Sequence, residues 1–381
     1  MELLSTELGA PLIIAAAALT TLVAAYASAR IAVRAGFLLD RPNDRSSHVR
    51  VTPRSGGIAI FAAWAAGMAI VAALMHDPEA LQLTVKLVLI AGFVLFLGLA
   101  DDAFAPTPLI KFVGQFAAAA LFVAAFGALE IAPLPIVGDV ALGPFAAPLT
   151  IFWIVGFMNA FNFMDGVNGI AAACGAFVLA GLAVASAYAG STYWAIAALL
   201  CATALVGFLP VNFPKGRLFM GDNGSQTVGF LLAAIAVAAA NEPGASTSAL
   251  FAPVAILPFL FDVAFTLGHR VVRRQSIAAA HREHLYQVLL RLGCSHARVT
   301  AIYLSLTALA TTGAVLMLRL VPREQWYAPV ALILLMAAPA AMLYARALRL
   351  GVIASRRPGE PEERRAPKAA PRENAAVHAA E

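Results

Sequence analysis

The sequence predicts an all-α, polytopic integral membrane helix bundle of about 11 transmembrane helices, with a periplasmic N-terminus and a cytoplasmic C-terminus. Three observations carry that prediction. Of the 381 residues, 61% are hydrophobic and only 12% charged, with a mean hydropathy of +0.83. The apolar residues form runs long enough to cross a bilayer, and the basic residues gather in alternate loops. A water-soluble fold of this composition would hold more apolar surface than it could cover.

A bilayer core needs about 20 apolar residues per helix, and polar or Pro/Gly punctuation divides the chain into segments of that size at 9–31, 57–75, 82–100, 110–129, 148–163, 169–189, 192–210, 225–240, 249–268, 299–318 and 328–348. The first residues lack the basic region of a cleavable signal, so the first segment reads as a retained span. One set of loops comprises 32–56, 101–109, 164–168, 211–224, 269–298 and the tail. It takes all 26 Lys and Arg except Lys86, Arg319 and Arg323, which makes it the cytoplasmic set. Residues 1–350 thus form one transmembrane domain. Residues 351–381, rich in Pro, Ala, Arg and Glu, form a disordered basic cytoplasmic tail near anionic lipid. The net charge of +5 is explained by this topology, so no nucleic-acid partner is expected. Cys174, Cys201 and Cys294 have neither paired nor metal-ligand spacing and read as packing residues. The chain shows no internal repeat of the inverted kind found in many transporters.

Acidic and amide groups at a membrane boundary are costly unless they pair, bind a metal or face water. Five polar clusters stand out, all in the cytoplasmic set. Asp101 and Asp102 end a strongly apolar span; adjacent acids repel unless a cation or shared proton relieves them, which suits a metal or phosphate site, or else an ordinary polar helix end. Asn159, Asn162 and Asp165 share a helix face three residues apart, with Asn168 beyond, and Gly166 and Gly169 permit close approach of a ligand. Such oxygens suit a hard cation like Mg2+, although a satisfied helix-end network would use the same residues. Around Phe219 and Asp222, Lys215 and Arg217 supply cations for phosphate and Phe219 an aromatic face for a base; Asp222, just before a new helix, could equally be a cap. His281, Arg282 and His284 follow Arg270, Arg273 and Arg274 and could neutralise a pyrophosphate, while a zinc site there lacks a third ligand in the neighbouring sequence. The loop before residue 57, with Thr52 and Arg54, is crowded with donors and turn formers. Chance would scatter five clusters over both faces. Their confinement to one face argues for one site.

In order, these residues resemble the polyprenyl-phosphate N-acetylhexosamine-1-phosphate transferase superfamily, of the glycosyltransferase family 4 type, from about residue 36 to residue 300. Asp101-Asp102 is similar to its paired aspartates, Asn162-Phe163-Met164-Asp165-Gly166-Val167-Asn168-Gly169 to its NxxDGxxG segment, Phe219-Met220-Gly221-Asp222-Asn223-Gly224-Ser225 to its FMGDxGS element, and His281-Arg282-Glu283-His284 to its late histidine motif. The peptidoglycan branch has an aspartate in place of Asn168 and three consecutive histidines in the late motif. Both departures point to the branch that starts O-antigen or related cell-envelope glycans.

The resemblance implies a Mg-dependent enzyme of the bacterial inner membrane that moves an N-acetylhexosamine-1-phosphate, including 6-deoxy sugars, from a UDP-sugar to undecaprenyl phosphate. Mg2+, or Mn2+ in its place, would be held by Asp222 and Asn162. Asp101 and Asp102 would orient or deprotonate the lipid phosphate, Phe219 would stack on uracil and Asn168 would read it. His281, Arg282 and His284 would hold the pyrophosphate or sugar, and Asp165 would support the amide cluster. Asn159, Lys215, Thr52 and Arg54 complete the expected substrate contacts, and a homodimer is expected. Two other classes are weighed: a secondary transporter, which would place its acids near mid-bilayer with access from both faces, and a membrane prenyltransferase, which would show DxxxD motifs rather than interleaved amides.

Overall fold

The computed structural model describes residues 9–42, 50–242, 247–276 and 282–353. His281 and tail residues 354–381 therefore lie outside the described residues. The elements are, in order, α1 (Gly9–Ala35), β1 (Leu39–Asp40), β2 (Thr52–Pro53), α2 (Gly56–Met75), α3 (Pro78–Phe104), α4 (Pro108–Phe126), β3 (Ile131–Leu134), β4 (Gly138–Ala141), α5 (Ala146–Met164), α6 (Ile170–Tyr188), α7 (Thr192–Asn212), α8 (Gly221–Asn241), α9 (Phe251–Ala255), α10 (Leu257–Val272), α11 (Leu285–Arg291), α12 (His296–Met317) and α13 (Tyr327–Arg349).

Among the described residues, ten helices are long and apolar enough to cross a membrane. The segment expected as a ninth span at 249–268 is instead interrupted: α9 stops at Ala255, Ile256 leaves helical geometry, and α10 begins with Pro258 in its first turn. A proline has no N–H to give to the preceding turn and its ring crowds the carbonyl four residues back, so the break falls just ahead of it. Among the described residues, two small antiparallel strand pairs, β1–β2 and β3–β4, depart from an all-α chain. The second occupies the Pro/Gly-rich stretch 130–147 between α4 and α5. The indole N–H of Trp326 donates to the Pro133 carbonyl at 2.9 Å and ties this hairpin to the start of α13.

One helix organises the rest. In α8 every residue from Asn223 to Ala239 is buried, the polar first turns as well as the apolar run that starts at Val228, and α2, α3, α5 and α7 pack around it. Gly98 in α3 makes one approach possible, since a Cβ there would collide with the backbone of Asn223. The amino-terminal turn of α8, which carries Asp222, is thereby surrounded by the carboxy-terminal ends of α3 and α5 and the amino-terminal ends of α2 and α4.

Candidate active site

The four N–H groups at a helix start need partners, and α8 obtains its own from another helix. The Asp102 carboxylate at the end of α3 accepts the backbone N–H groups of Asp222 at 3.2 Å and Asn223 at 2.9 Å, plus the Asn223 amide at 2.6 Å. Arg54 completes the enclosure: its Nε lies 3.5 Å from Asp102 Oδ1, a second guanidinium nitrogen donates to the Asp102 carbonyl, and its own carbonyl accepts from the Asn223 amide at 2.8 Å. Asp102 is 5% exposed. It is the cap of α8, which frees the Asp222 side chain from the capping role that its position suggests.

Asp101, one residue earlier, meets a different partner. Lys111, one turn into α4, places Nζ 2.5 Å from Asp101 Oδ2 and 2.9 Å from Asp222 Oδ2, so one ammonium bridges acids from α3 and α8. On its other side Asp222 accepts the Asn162 amide N–H at 2.9 Å, and the same amide donates to Ser225 Oγ at 2.8 Å. Asn159, one turn earlier in α5, donates to Gln115 Oε1 at 2.7 Å; Gln115 donates to Gln226 at 3.1 Å, and Gln226 to Asp101 at 3.2 Å. The chain of contacts from Asn159 through the two glutamines, Asp101, Lys111 and Asp222 to Asn162 begins and ends on α5. It links four helices through polar groups, alongside their apolar packing.

Asp165 caps the carboxy-terminal end of α5. Burial, then the charges of Asp222 and Asp102, push its carboxyl well above the usual carboxylate range. Asn212 joins the neighbouring loops: its Oδ1 accepts the Gly169 N–H at 2.6 Å and its amide donates to the Leu218 carbonyl at 2.9 Å. The Phe219 N–H donates to the Pro53 carbonyl at 2.8 Å and the Phe219 carbonyl accepts from Gly56 at 3.0 Å, which lays the segment before α8 along residues 53–56.

The remaining expected residues fall around this centre. Thr52 is buried, with its hydroxyl donating to the Arg50 carbonyl at 3.1 Å. Asn168 uses its amide on the Pro214 carbonyl at 3.0 Å, beneath the turn that carries the exposed Lys215. His284 faces inward rather than toward an open site: it is 4% exposed and its Nδ1 lies 3.1 Å from Asp262 Oδ1. The Arg282 carbonyl accepts from Arg291 at 3.3 Å.

The family described as Glycosyl transferase family 4 matches residues 83–240, a stretch holding Asp101, Lys111, Gln115, Asn159, Asn162, Asp165, Asp222 and Gln226. A probable undecaprenyl-phosphate N-acetylglucosaminyl 1-phosphate transferase of Bacillus subtilis (strain 168) is 30% identical over 289 residues, covering 75% of this chain and 79% of the relative. The chain belongs to the polyprenyl-phosphate N-acetylhexosamine-1-phosphate transferase superfamily. Within that superfamily it also resembles the decaprenyl-phosphate N-acetylglucosaminephosphotransferase of Mycobacterium tuberculosis (strain ATCC 25618 / H37Rv), 32% identical over 315 residues with 74% and 76% of the two chains covered. The undecaprenyl-phosphate alpha-N-acetylglucosaminyl 1-phosphate transferase of Escherichia coli (strain K12) is 28% identical over 303 residues, 77% and 80% of the two chains.

Sequence reasoning missed several groups at the centre of this cluster. Lys111 and Gln115 share one face of α4, and Gln226 is buried just ahead of the apolar run of α8 that starts at Val228. Each carries the signal that exposes the acids, a polar group where lipid or apolar packing is expected. The donor set suits a hard divalent ion. Among the described residues no group of three or more His, Cys, Asp or Glu is arranged to hold a metal. An ion at Asp222 and Asp101 would therefore complete its shell from amide oxygen, water and substrate phosphate, the manner in which Mg2+ is commonly bound.

Proposed function

We propose that this chain transfers N-acetylhexosamine-1-phosphate from a UDP-sugar to undecaprenyl phosphate, releasing UMP, at the cytoplasmic face of the bacterial inner membrane. The observation that carries the proposal is the Asp101–Lys111–Asp222 bridge with Asn162 against Asp222. Two carboxylates and an ammonium meet where four helices end, close to where a lipid phosphate and a soluble nucleotide could meet. A transporter relay would place its acids in the middle of spans instead.

The reaction is phosphoryl transfer, which depends mainly on positioning and charge neutralisation. An oxygen of the lipid phosphate attacks the sugar-linked phosphorus; the bond from that phosphorus to the bridging oxygen breaks, and UMP departs with that oxygen. Asp222, Asn162 and Asp101 would hold Mg2+, or Mn2+, which when bound neutralises charge on the diphosphate. Lys111 brings a second positive charge to the same oxygens. Asp101, the less enclosed of the paired acids, faces the reacting phosphates and serves as their orienting carboxylate or base. Asp102 keeps Asp222 in place by capping α8. Phe219 offers a ring for the uracil. Arg282 and His281 are assigned to the diphosphate by their order in the late histidine motif, and Lys215 and Arg54 offer further cations.

The positive-inside bias of the loops supports the cytoplasmic placement. Asn168 and the His281-Arg282-Glu283-His284 order support a role in starting O-antigen or a related envelope polysaccharide. Purified protein incubated with undecaprenyl phosphate, Mg2+ and a panel of UDP-N-acetylhexosamines, UDP-N-acetylglucosamine first, should release UMP, and EDTA should stop it. Absence of UMP with every donor would contradict the assignment.

A further inference from the structure

Among the described residues, Asp262 is the one fully buried acid that the proposed reaction does not use, and its surroundings are unusually complete. It is 0% exposed. Its Oδ1 takes the His284 Nδ1 at 3.1 Å, the Leu285 backbone N–H at 2.9 Å and the Thr266 hydroxyl at 3.2 Å; its Oδ2 takes the Tyr286 backbone N–H at 3.2 Å and the Tyr303 hydroxyl at 2.5 Å. A carboxylate withdrawn from water is tolerable when its lone pairs are filled. Here the filling comes largely from the segment that leads into α11. The same face of α10 adds two further ties. Thr266 lies 3.5 Å from the Glu283 carbonyl, and Arg270 holds the Glu283 carboxylate at 3.1 Å and the Ser276 carbonyl at 2.6 Å. Residues 283–286 are thus laced to α10, with Asp262 gripping the last three.

That grip reaches the α5 end of the catalytic centre. Tyr286, held by Asp262 through its backbone N–H, is 2% exposed and sends its hydroxyl 3.0 Å to the Phe163 carbonyl. The ring lies so close to Gly166 that a Cβ there would overlap the phenol, and the His284 ring stacks on Phe163 with centroids 5.9 Å apart. Phe163 directly follows Asn162, whose amide meets Asp222 at 2.9 Å. Asp262, Tyr286, Phe163, Asn162 and Asp222 therefore form one continuous line of contacts between α10 and the amino-terminal turn of α8.

We infer that Asp262, acting through Tyr286, is a positioning residue for the transferase site: it holds the last turn of α5 in the register that brings Asn162 onto Asp222. The kinetic half of this inference rests on the proposed reaction, and the mechanical half does not. Tyr286→Phe removes one hydroxyl and keeps the buried ring; Asp262→Asn removes the charge and turns an amide N–H toward backbone donors. Both are compared with the wild-type full chain in lipid nanodiscs by amide hydrogen exchange and by steady-state UMP release.

Exchange in 159–166 should quicken in both variants while that in 192–212 stays unchanged. Tyr286→Phe should lower kcat about tenfold with KM for either substrate within about twofold, and should have less than about a twofold further effect on an Asn162→Ala background, the non-additivity of residues acting in series. Unchanged exchange at 159–166 in both variants would overturn the mechanical link. Faster exchange with unchanged kcat, or the same tenfold loss on the Asn162→Ala background, would overturn the positioning role. If Asp262→Asn does not fold, Tyr286→Phe decides alone. A wild-type chain that releases no UMP refutes the reaction assignment, and the exchange measurement then decides the link by itself.

Discussion

Asp222 and Asp262 are both acids set among packed helices, yet the protein treats them in opposite ways: Asp262 is fully buried, whereas the Asp222 side chain keeps 35% of its surface exposed. Asp262 is saturated: backbone N–H groups, two hydroxyls and an imidazole occupy its oxygens. Asp222 has one amide, one ammonium that it shares with Asp101, and a hydrogen bond with the Asp101 carboxyl itself. Filled lone pairs make a buried carboxylate a structural anchor. A carboxylate whose main partner is a flexible lysine can exchange that partner for a ligand at little cost. The same contrast recurs between neighbours in sequence, Asp102 being enclosed by Asn223, Asp222 and Arg54 while Asp101 faces Lys111 and Gln226.

The comparison breaks most visibly if the two centres respond alike. Asp222→Asn should reduce Mg2+-dependent UMP release by about 10^3-fold with the melting temperature nearly unchanged. Asp262→Ala should instead cost about 3–5 kcal/mol of stability, because it strands several buried donors; parallel turnover and thermal-unfolding measurements separate the two. Lys111→Met comes next, with kcat lower by about 10^2-fold and some loss of stability as Asp101 and Asp222 are left facing one another; a stable, fully active variant would remove Lys111 from the site. The paired aspartates sharpen the contrast within one helix. Asp102→Asn should lower stability by about 1–3 kcal/mol through the α8 cap, whereas Asp101→Asn should lower kcat and leave unfolding nearly unaffected.

Asp165 gives the smallest effect, and its sign follows from linkage. Its folded pKa is raised, so the folded state holds the proton more tightly than the unfolded chain does, and stability falls as pH rises from the ordinary carboxylate range toward the raised value. Asp165→Asn should therefore melt higher than the wild type at pH 8, by a margin that shrinks toward pH 5. A constant margin would show that the charge is not its cause.

Much of this was legible in the sequence because membrane proteins penalise misplaced polarity. The span pattern, the Asp101-Asp102 pair, the Asn159–Asn162–Asp165 face and Asp222 all stand out against lipid, and the structure brings Asp101, Asn159, Asn162 and Asp222 into one hydrogen-bonded circuit. The division of labour inside the pair was not legible, since adjacent residues on a helix point about 100° apart and only tertiary packing decides which meets α8. Lys111 was absorbed into the charge balance of its loop, although its place one turn inside an apolar helix set it apart. Asp262 was hidden inside an expected span, where the same rule would have flagged it. The break at Ile256 and the β3–β4 hairpin turn on local proline and turn geometry, which hydropathy averages over.

Phosphoryl transfer at the Asp101–Lys111–Asp222 centre is tested most directly with a UDP-N-acetylhexosamine labelled with 32P at the sugar-linked phosphorus. Incubated with the protein, undecaprenyl phosphate and Mg2+, the label should appear in the lipid fraction as the nucleotide is released as UMP, and the Asp222→Asn variant should leave it in the aqueous phase. Label recovered in UDP alongside an unlabelled glycolipid would contradict this account, because the sugar would then have moved without its phosphate.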